Sequence, residues 1–97
     1  MAQFDVHELG SMLVIDCQSN LLSQIDSRFV VPLVPRANAP KIAARLNPVF
    51  QIGEEDLVML TQAAAAVRRA ELGPAKASLA ERAFEITGAI DVLVTGV

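Results

Sequence analysis

Hydrophobic and polar positions change their period several times along the chain, and each change marks an element. In "QFDVHEL", residues 3–9, Phe4 and Val6 alternate with Gln3, Asp5 and His7, the two-residue period of a strand with one buried face. His7 falls on the polar side and is expected to be exposed. Gly10-Ser11 turns the chain, and "MLVIDC", 12–17, is aliphatic and partly β-branched, which predicts a second strand. "QSNLLSQIDS", 18–27, is polar with scattered apolar residues and reads as a loop. "RFVVPLVP", 28–35, is a third strand. Pro32 and Pro35 lack a backbone donor, so this strand should lie at a sheet edge or leave the sheet there.

The second half of the chain begins with a short helical turn around Ile42–Leu46, ended by Pro48. "VFQI", 49–52, and "LVML", 57–60, flank Gly53 and an acidic run, the pattern of a hairpin. Residues 61–72, "TQAAAAVRRAEL", favour helix on propensity alone. Residues 73–77 read as a loop. Ser78 and Glu81 then form S-x-x-E, a capping-box spacing, ahead of a helix. Leu79, Ala83, Ile86, Ile90, Leu93 and Val97 recur at alternating steps of four and three, one apolar stripe. Gly88 costs such a helix about 1 kcal/mol relative to alanine, which predicts a close approach to another backbone there. Gly96 is placed to stop the helix in the left-handed conformation.

The chain of 97 residues is read as a single domain, 1–97, and 53% of it is apolar. So much apolar material in so short a chain leaves some over, and a second copy is the simplest cover, so a homodimer is expected. The net charge of −3 argues against a general nucleic-acid binder, which needs a basic surface. The single cysteine, Cys17, forms no internal disulfide, which suits a reducing cytoplasm. The N-terminal "MAQFDVHELG" carries acids where a secretory signal needs positive charge, and no stretch is long enough to span a membrane. A cytoplasmic protein is expected.

Candidate chemistry is sparse. His7 is the only histidine, and Cys17 reads as a small buried hydrophobe rather than a nucleophile. Glu54, Glu55 and Asp56 share a turn without converging partners, so no metal site is expected. Ser19 and Thr61 have no base nearby in sequence, and there is no phosphate loop or zinc spacing. No catalytic residue and no cofactor follow from this inventory. A binding or inhibitory module is the class that fits.

Several stretches occur in a specific order: "QFDV" at 3–6, "LVIDCQSNLL" at 13–22, "RFVVPL" at 28–33, "LNPVFQIGEED" at 46–56 and "AIDVLVTGV" at 89–97. Over nearly its whole length the chain resembles the CcdB family of plasmid and chromosomal toxins. The resemblance implies a mainly β fold with a C-terminal α-helix, a small SH3-like antiparallel barrel of CcdB/MazF type, and a homodimer. It implies a non-enzymatic protein that binds the A subunit of DNA gyrase and inhibits the topoisomerase. A cognate antitoxin with a disordered C-terminal segment would relieve the inhibition. It also implies a strand within 61–72, against local propensity.

The family's last three residues, Trp-Gly-Ile, reach gyrase. The matching positions are Thr95, Gly96 and Val97, which the resemblance assigns as the gyrase-binding residues. The glycine and the terminal apolar residue are kept in type, whereas Thr95 lacks the flat aromatic surface of a tryptophan, the commonest interface hot spot. Two alternatives stay open. One is a MazF-like endoribonuclease on the same fold, using Arg28 or Arg36 with Ser27. The other is a decayed homologue that keeps the dimer and antitoxin binding without poisoning gyrase. The acidic balance ranks the ribonuclease lower, so purified protein is expected to leave a defined RNA intact. Metal-independent cleavage abolished by a single change at Arg28 or Arg36 would put the ribonuclease first.

Overall fold

The computed structural model describes residues 2–40 and 42–96. The strands are β1 (Asp5–Leu9), β2 (Met12–Asp16), β3 (Ser27–Pro35), β4 (Val49–Ile52), β5 (Glu55–Met59), β6 (Ala65–Arg68) and β7 (Ala75–Ser78), followed by helix α1 (Ala83–Thr95). All pairings are antiparallel, in the order β4-β5-β3-β2-β1-β7, with β6 also on β3. The result is a mainly β, curled sheet with one C-terminal helix, a small SH3-like barrel.

β3 is the hub. One of its edges pairs with β2 through Leu13↔Leu33 to Asp16↔Val30. Its other edge is shared: Ser27–Val30 pair with β6 and Leu33–Pro35 with β5. The sheet curls where one strand serves two partners. Pro32 sits at that changeover, where its missing N–H breaks no ladder, and its carbonyl accepts from Leu60 N at 2.9 Å. The expectation that the prolines put this strand at an edge is therefore corrected. Pro35, the last residue of β3, does mark where the chain leaves the sheet.

The first strand begins two residues later than its alternation suggests. Phe4 adopts φ +71°, an uncommon conformation for a bulky residue, and is held there from both sides. Its N–H donates to Asp16 O at 2.6 Å, and its carbonyl accepts from Leu79 N at 2.8 Å. Phe4 thus ties the start of the chain to β2 and to the entry of the helix. Its ring joins Val6, Ile15, Val31, Leu33, Phe50, Leu57, Met59, Ile86 and Ala89 in the core.

Residues 61–72 are resolved in favour of the strand: β6 occupies Ala65–Arg68 between two single 3₁₀ turns. Alanine is a poor strand former, so tertiary pairing with β3 outweighs propensity here. Residues 73–77, expected as a loop, mostly form β7, which pairs with β1 across a register shift between Val6 and His7. Within the chain, the close backbone approach lies at Gly73 rather than at Gly88. A Cβ on Gly73 would come within 3.3 Å of Glu8, and Gly73 N donates to Glu8 O at 2.7 Å, whereas a Cβ on Gly88 would meet nothing within 4 Å.

The helix entry also differs from expectation. Ser78 closes β7, and its Oγ accepts from Ala80 N at 3.3 Å at the head of a 3₁₀ turn. The α-helix starts later, with Arg82 in the cap position and no side-chain cap, so Ser78 and Glu81 do not form a capping box on α1. Ile86 and Ala89 are buried in the core, and Ala83 and Ile90 pack at its edge. Leu93 is already exposed, and Val97, the last member of the expected stripe, lies outside the described residues.

One polar pair lies inside this apolar frame. Asp16 at the end of β2 and Arg28 near the start of β3 are both fully buried. Arg28 Nη2 and Nε donate to Asp16 Oδ2 at 2.7 and 3.1 Å. Asp16 Oδ1 accepts from Gln18 N at 3.1 Å, and Gln18 Oε1 accepts from Phe29 N at 3.0 Å. The "DCQSN" stretch is therefore a hydrogen-bonded clamp that sets where β3 begins. Removing one partner of a buried pair leaves an uncompensated charge, which costs about 3–5 kcal/mol. Asp16→Ala is expected to lower the urea midpoint accordingly, and Asp16→Leu combined with Arg28→Met to recover most of the loss. Equal midpoints for wild type and Asp16→Ala would refute the clamp.

Candidate functional site

The sequence points to the end of the last helix, and the geometry there follows from Gly96. It adopts φ +78°, and its N–H donates to Val92 O at 2.9 Å, so α1 ends in the left-handed cap its glycine predicts. Thr95 is the last helical residue, and its hydroxyl turns back to donate to Asp91 O at 2.7 Å. The hydroxyl is thus occupied within the helix. Thr95 and Gly96 are both exposed and stand together at the helix end; Val97 lies outside the described residues.

The outer face of α1 carries the apolar surface that the core does not use. Phe84 is 91% exposed and Val94 74% exposed, far more than a ring or a valine in a packed helix face. Around Phe84 and Gly88, with Arg45, Pro48 and Asp91 at its margin, lies an open groove of about 410 Å³. A second group of exposed apolar side chains, Leu21, Leu22 and Ile25, lies on the β2–β3 loop. The loop reads as polar in sequence, and its hydrogen bonds hold the backbone so that these residues stay out of the core. Ser19 Oγ accepts from Leu21 N at 3.1 Å, and Gln18 Nε2 donates to Leu22 O at 3.0 Å.

The remaining candidates are not gathered into a centre. His7, expected at the surface, is buried. Its Nδ1–H donates to Gly73 O at 2.9 Å, across the register shift that brings the segment before β7 over it. Its role there is to join strands. Ser27 and Arg28 are neighbours on β3, so their side chains leave opposite faces: Ser27 is exposed, while Arg28 is buried on Asp16. Arg36 is exposed beyond the end of β3. The arginine–hydroxyl pair considered for a ribonuclease does not assemble. Among the described residues no three of the His, Cys, Asp and Glu side chains cluster as metal ligands; Glu54 in the hairpin turn and Glu55 and Asp56 at the start of β5 are exposed. No described helix is long and apolar enough to cross a membrane.

Pattern reading missed Arg28 and Asp16 as a pair. The available signal was an unmatched charge at the edge of each of two apolar runs, but nothing in the sequence joins the two. Cys17 is buried, as its apolar surroundings suggest. Burial, and then the neighbouring Asp16 carboxylate, push its thiol from an ordinary 9.0 up to about 12. The thiol is therefore inert, and the folded state holds its proton more tightly than the unfolded state does. This contribution to stability is fully present below pH 9 and is lost as the pH rises toward 12. Iodoacetamide at pH 8 is expected to leave Cys17 unmodified in native protein and to alkylate it promptly in denaturant. Equal rates in the two states would show the thiol to be accessible.

A sequence model of one family, the CcdB protein family, matches residues 3–96.

Proposed function

The chain belongs to the CcdB family, and from that membership together with the exposed helix end we propose that it binds the A subunit of DNA gyrase through Thr95, Gly96 and Val97. Membership itself implies the toxin of a toxin–antitoxin pair. The finer reading is that the protein inhibits the topoisomerase without being an enzyme, acts in the cytoplasm, and is neutralised by an antitoxin with a disordered C-terminal segment. The observation that carries it is the end of α1: Thr95 and Gly96 are exposed, beyond the helix turns that build the core. Gly96 lets the backbone turn there, and Val97 would fill a shallow apolar site on the partner.

Thr95 presents its methyl group, since its hydroxyl is bonded to Asp91 O. A tryptophan at this position would offer a large flat surface to a cationic partner, worth about 2 kcal/mol when desolvated. This chain binds gyrase more weakly on that account, or binds a gyrase of different shape. We also propose a homodimer, supported by exposed Phe84, Leu93 and Val94 on a single helix.

These readings are tested together. Purified protein is expected to sediment as a dimer at micromolar concentration and to bind a gyrase A fragment from the same organism. Deleting residues 95–97 should abolish that binding while the dimer and the thermal midpoint stay unchanged. Thr95→Trp should tighten binding about tenfold or more, the equivalent of 1.4 kcal/mol. If wild type does not bind and Thr95→Trp creates no binding, the gyrase reading fails and a homologue that has lost poisoning takes its place.

A further inference from the structure

The buried Arg28 is only partly satisfied. Nε and Nη2 face Asp16, but Nη1 is screened from solvent and has no hydrogen-bond partner. A guanidinium stays charged at any physiological pH, so the group cannot relieve this by losing a proton. Leaving a buried charged donor unmatched is costly, and it marks a place where an acceptor belongs.

Arg28 also lines a cavity of about 490 Å³, whose other walls are Ser23, Gln24 and Arg69. Arg69 reaches the cavity from the segment after β6, where its backbone N–H donates to Asp26 O at 2.9 Å. Its Nη2 donates to the carbonyl oxygens of Ser23 and, at 3.4 Å, Ile25. Both acceptors are neutral, and among the described residues no carboxylate lies within ion-pair distance of Arg69. Two guanidinium groups thus line one cavity, and the only carboxylate paired with either is Asp16, on Arg28. No acidic side chain lines the cavity itself.

We propose that this cavity is a binding site for a carboxylate. The charge balance selects the ligand class. Asp16 cancels one guanidinium, which leaves a single positive charge. One carboxylate neutralises it, whereas a phosphate monoester brings up to two negative charges close to Asp16. Geometry agrees: with the Nε/Nη2 edge committed to Asp16, the Nη1 end of Arg28 remains, and a planar carboxylate matches it. Nη1 is screened from solvent, so an oxygen reaches it only if the cavity wall gives way, and Gln24 and Arg69 are the wall side chains best able to move. Both are long side chains at exposed positions, and Arg69 gives up two neutral carbonyl acceptors for a charged one. The carboxylate comes either from a small free acid or from an acidic side chain of a bound peptide.

The test uses the full chain labelled with 15N at arginine, titrated with sodium acetate, succinate or phosphate against sodium chloride at matched ionic strength. Arms with a short glutamate-containing peptide and its glutamine counterpart separate the two sources. Acetate is expected to saturate in the roughly millimolar range, shifting the Arg28 guanidinium signals and raising the thermal midpoint. Arg69→Gln should weaken the response at least tenfold without unfolding the protein, Arg69→Lys should restore part of it, and Arg68→Gln on the adjacent position should leave it intact. Tighter binding of the glutamate peptide than of acetate assigns the site to a protein partner, and equal binding assigns it to a small acid. Tighter binding of phosphate than of carboxylate would overturn the proposal in favour of a nucleic-acid contact. A response that only follows ionic strength would overturn it outright.

Discussion

The position of β3 in the sheet rests on the contact between Asp16 and Arg28. β3 serves three partner strands and so sets the curl of the whole sheet. Its start is defined where Arg28 turns inward onto the last residue of β2, and Gln18 bonds both Asp16 and Phe29. A one-residue slip of β3 would send Arg28 to the opposite face and bring Ser27 onto Asp16. A buried ion pair is weak evidence for stability as such, because desolvation offsets much of the attraction. Its better-attested use is specificity of register.

The clamp has a structural consequence at the surface. By holding the backbone of residues 16–22 with side-chain hydrogen bonds, it frees the apolar side chains of Leu21 and Leu22 from any role in the core. The helix does something similar at its far end. Ile86 and Ala89 anchor α1 to the sheet, and beyond them the apolar residues Leu93 and Val94 project into solvent. Surface of this kind suits a protein whose work is to be bound by others. Arg69 adds a charged contact to the same loop region, reaching across from β6.

The residues that make chemistry plausible in many folds serve architecture here. His7 joins β1 to the segment before β7, Cys17 is a buried thiol with its proton held, and Asn47 ties the turn before β4 to the exit of β5. Asn47 Oδ1 accepts from Ala43 N at 3.1 Å, and its Nδ2 donates to Met59 O at 3.0 Å. The partners Gly73 of His7 and Met59 of Asn47 are distant in sequence, and so these roles escape a reading based on spacing.

The sequence by itself determined the elements whose signals are local. The alternation around Phe4 and Val6, the aliphatic run 12–16, the hairpin at Gly53 and the left-handed stop at Gly96 all depend on residues within a turn of each other. The resemblance in motif order then supplied a strand within 61–72 that alanine propensity opposes, and the structure places it at Ala65–Arg68. Only the tertiary structure decided the rest. β7 exists because β1 offers an edge to Ala75–Ser78, and His7 is buried because of that pairing. Pro32 sits inside the sheet because β3 changes partners there. Ser78 is taken by a strand before it can cap a helix. Each of these depends on which strand lies alongside, a contact between residues far apart in the chain, and no local pattern of polar and apolar residues encodes it.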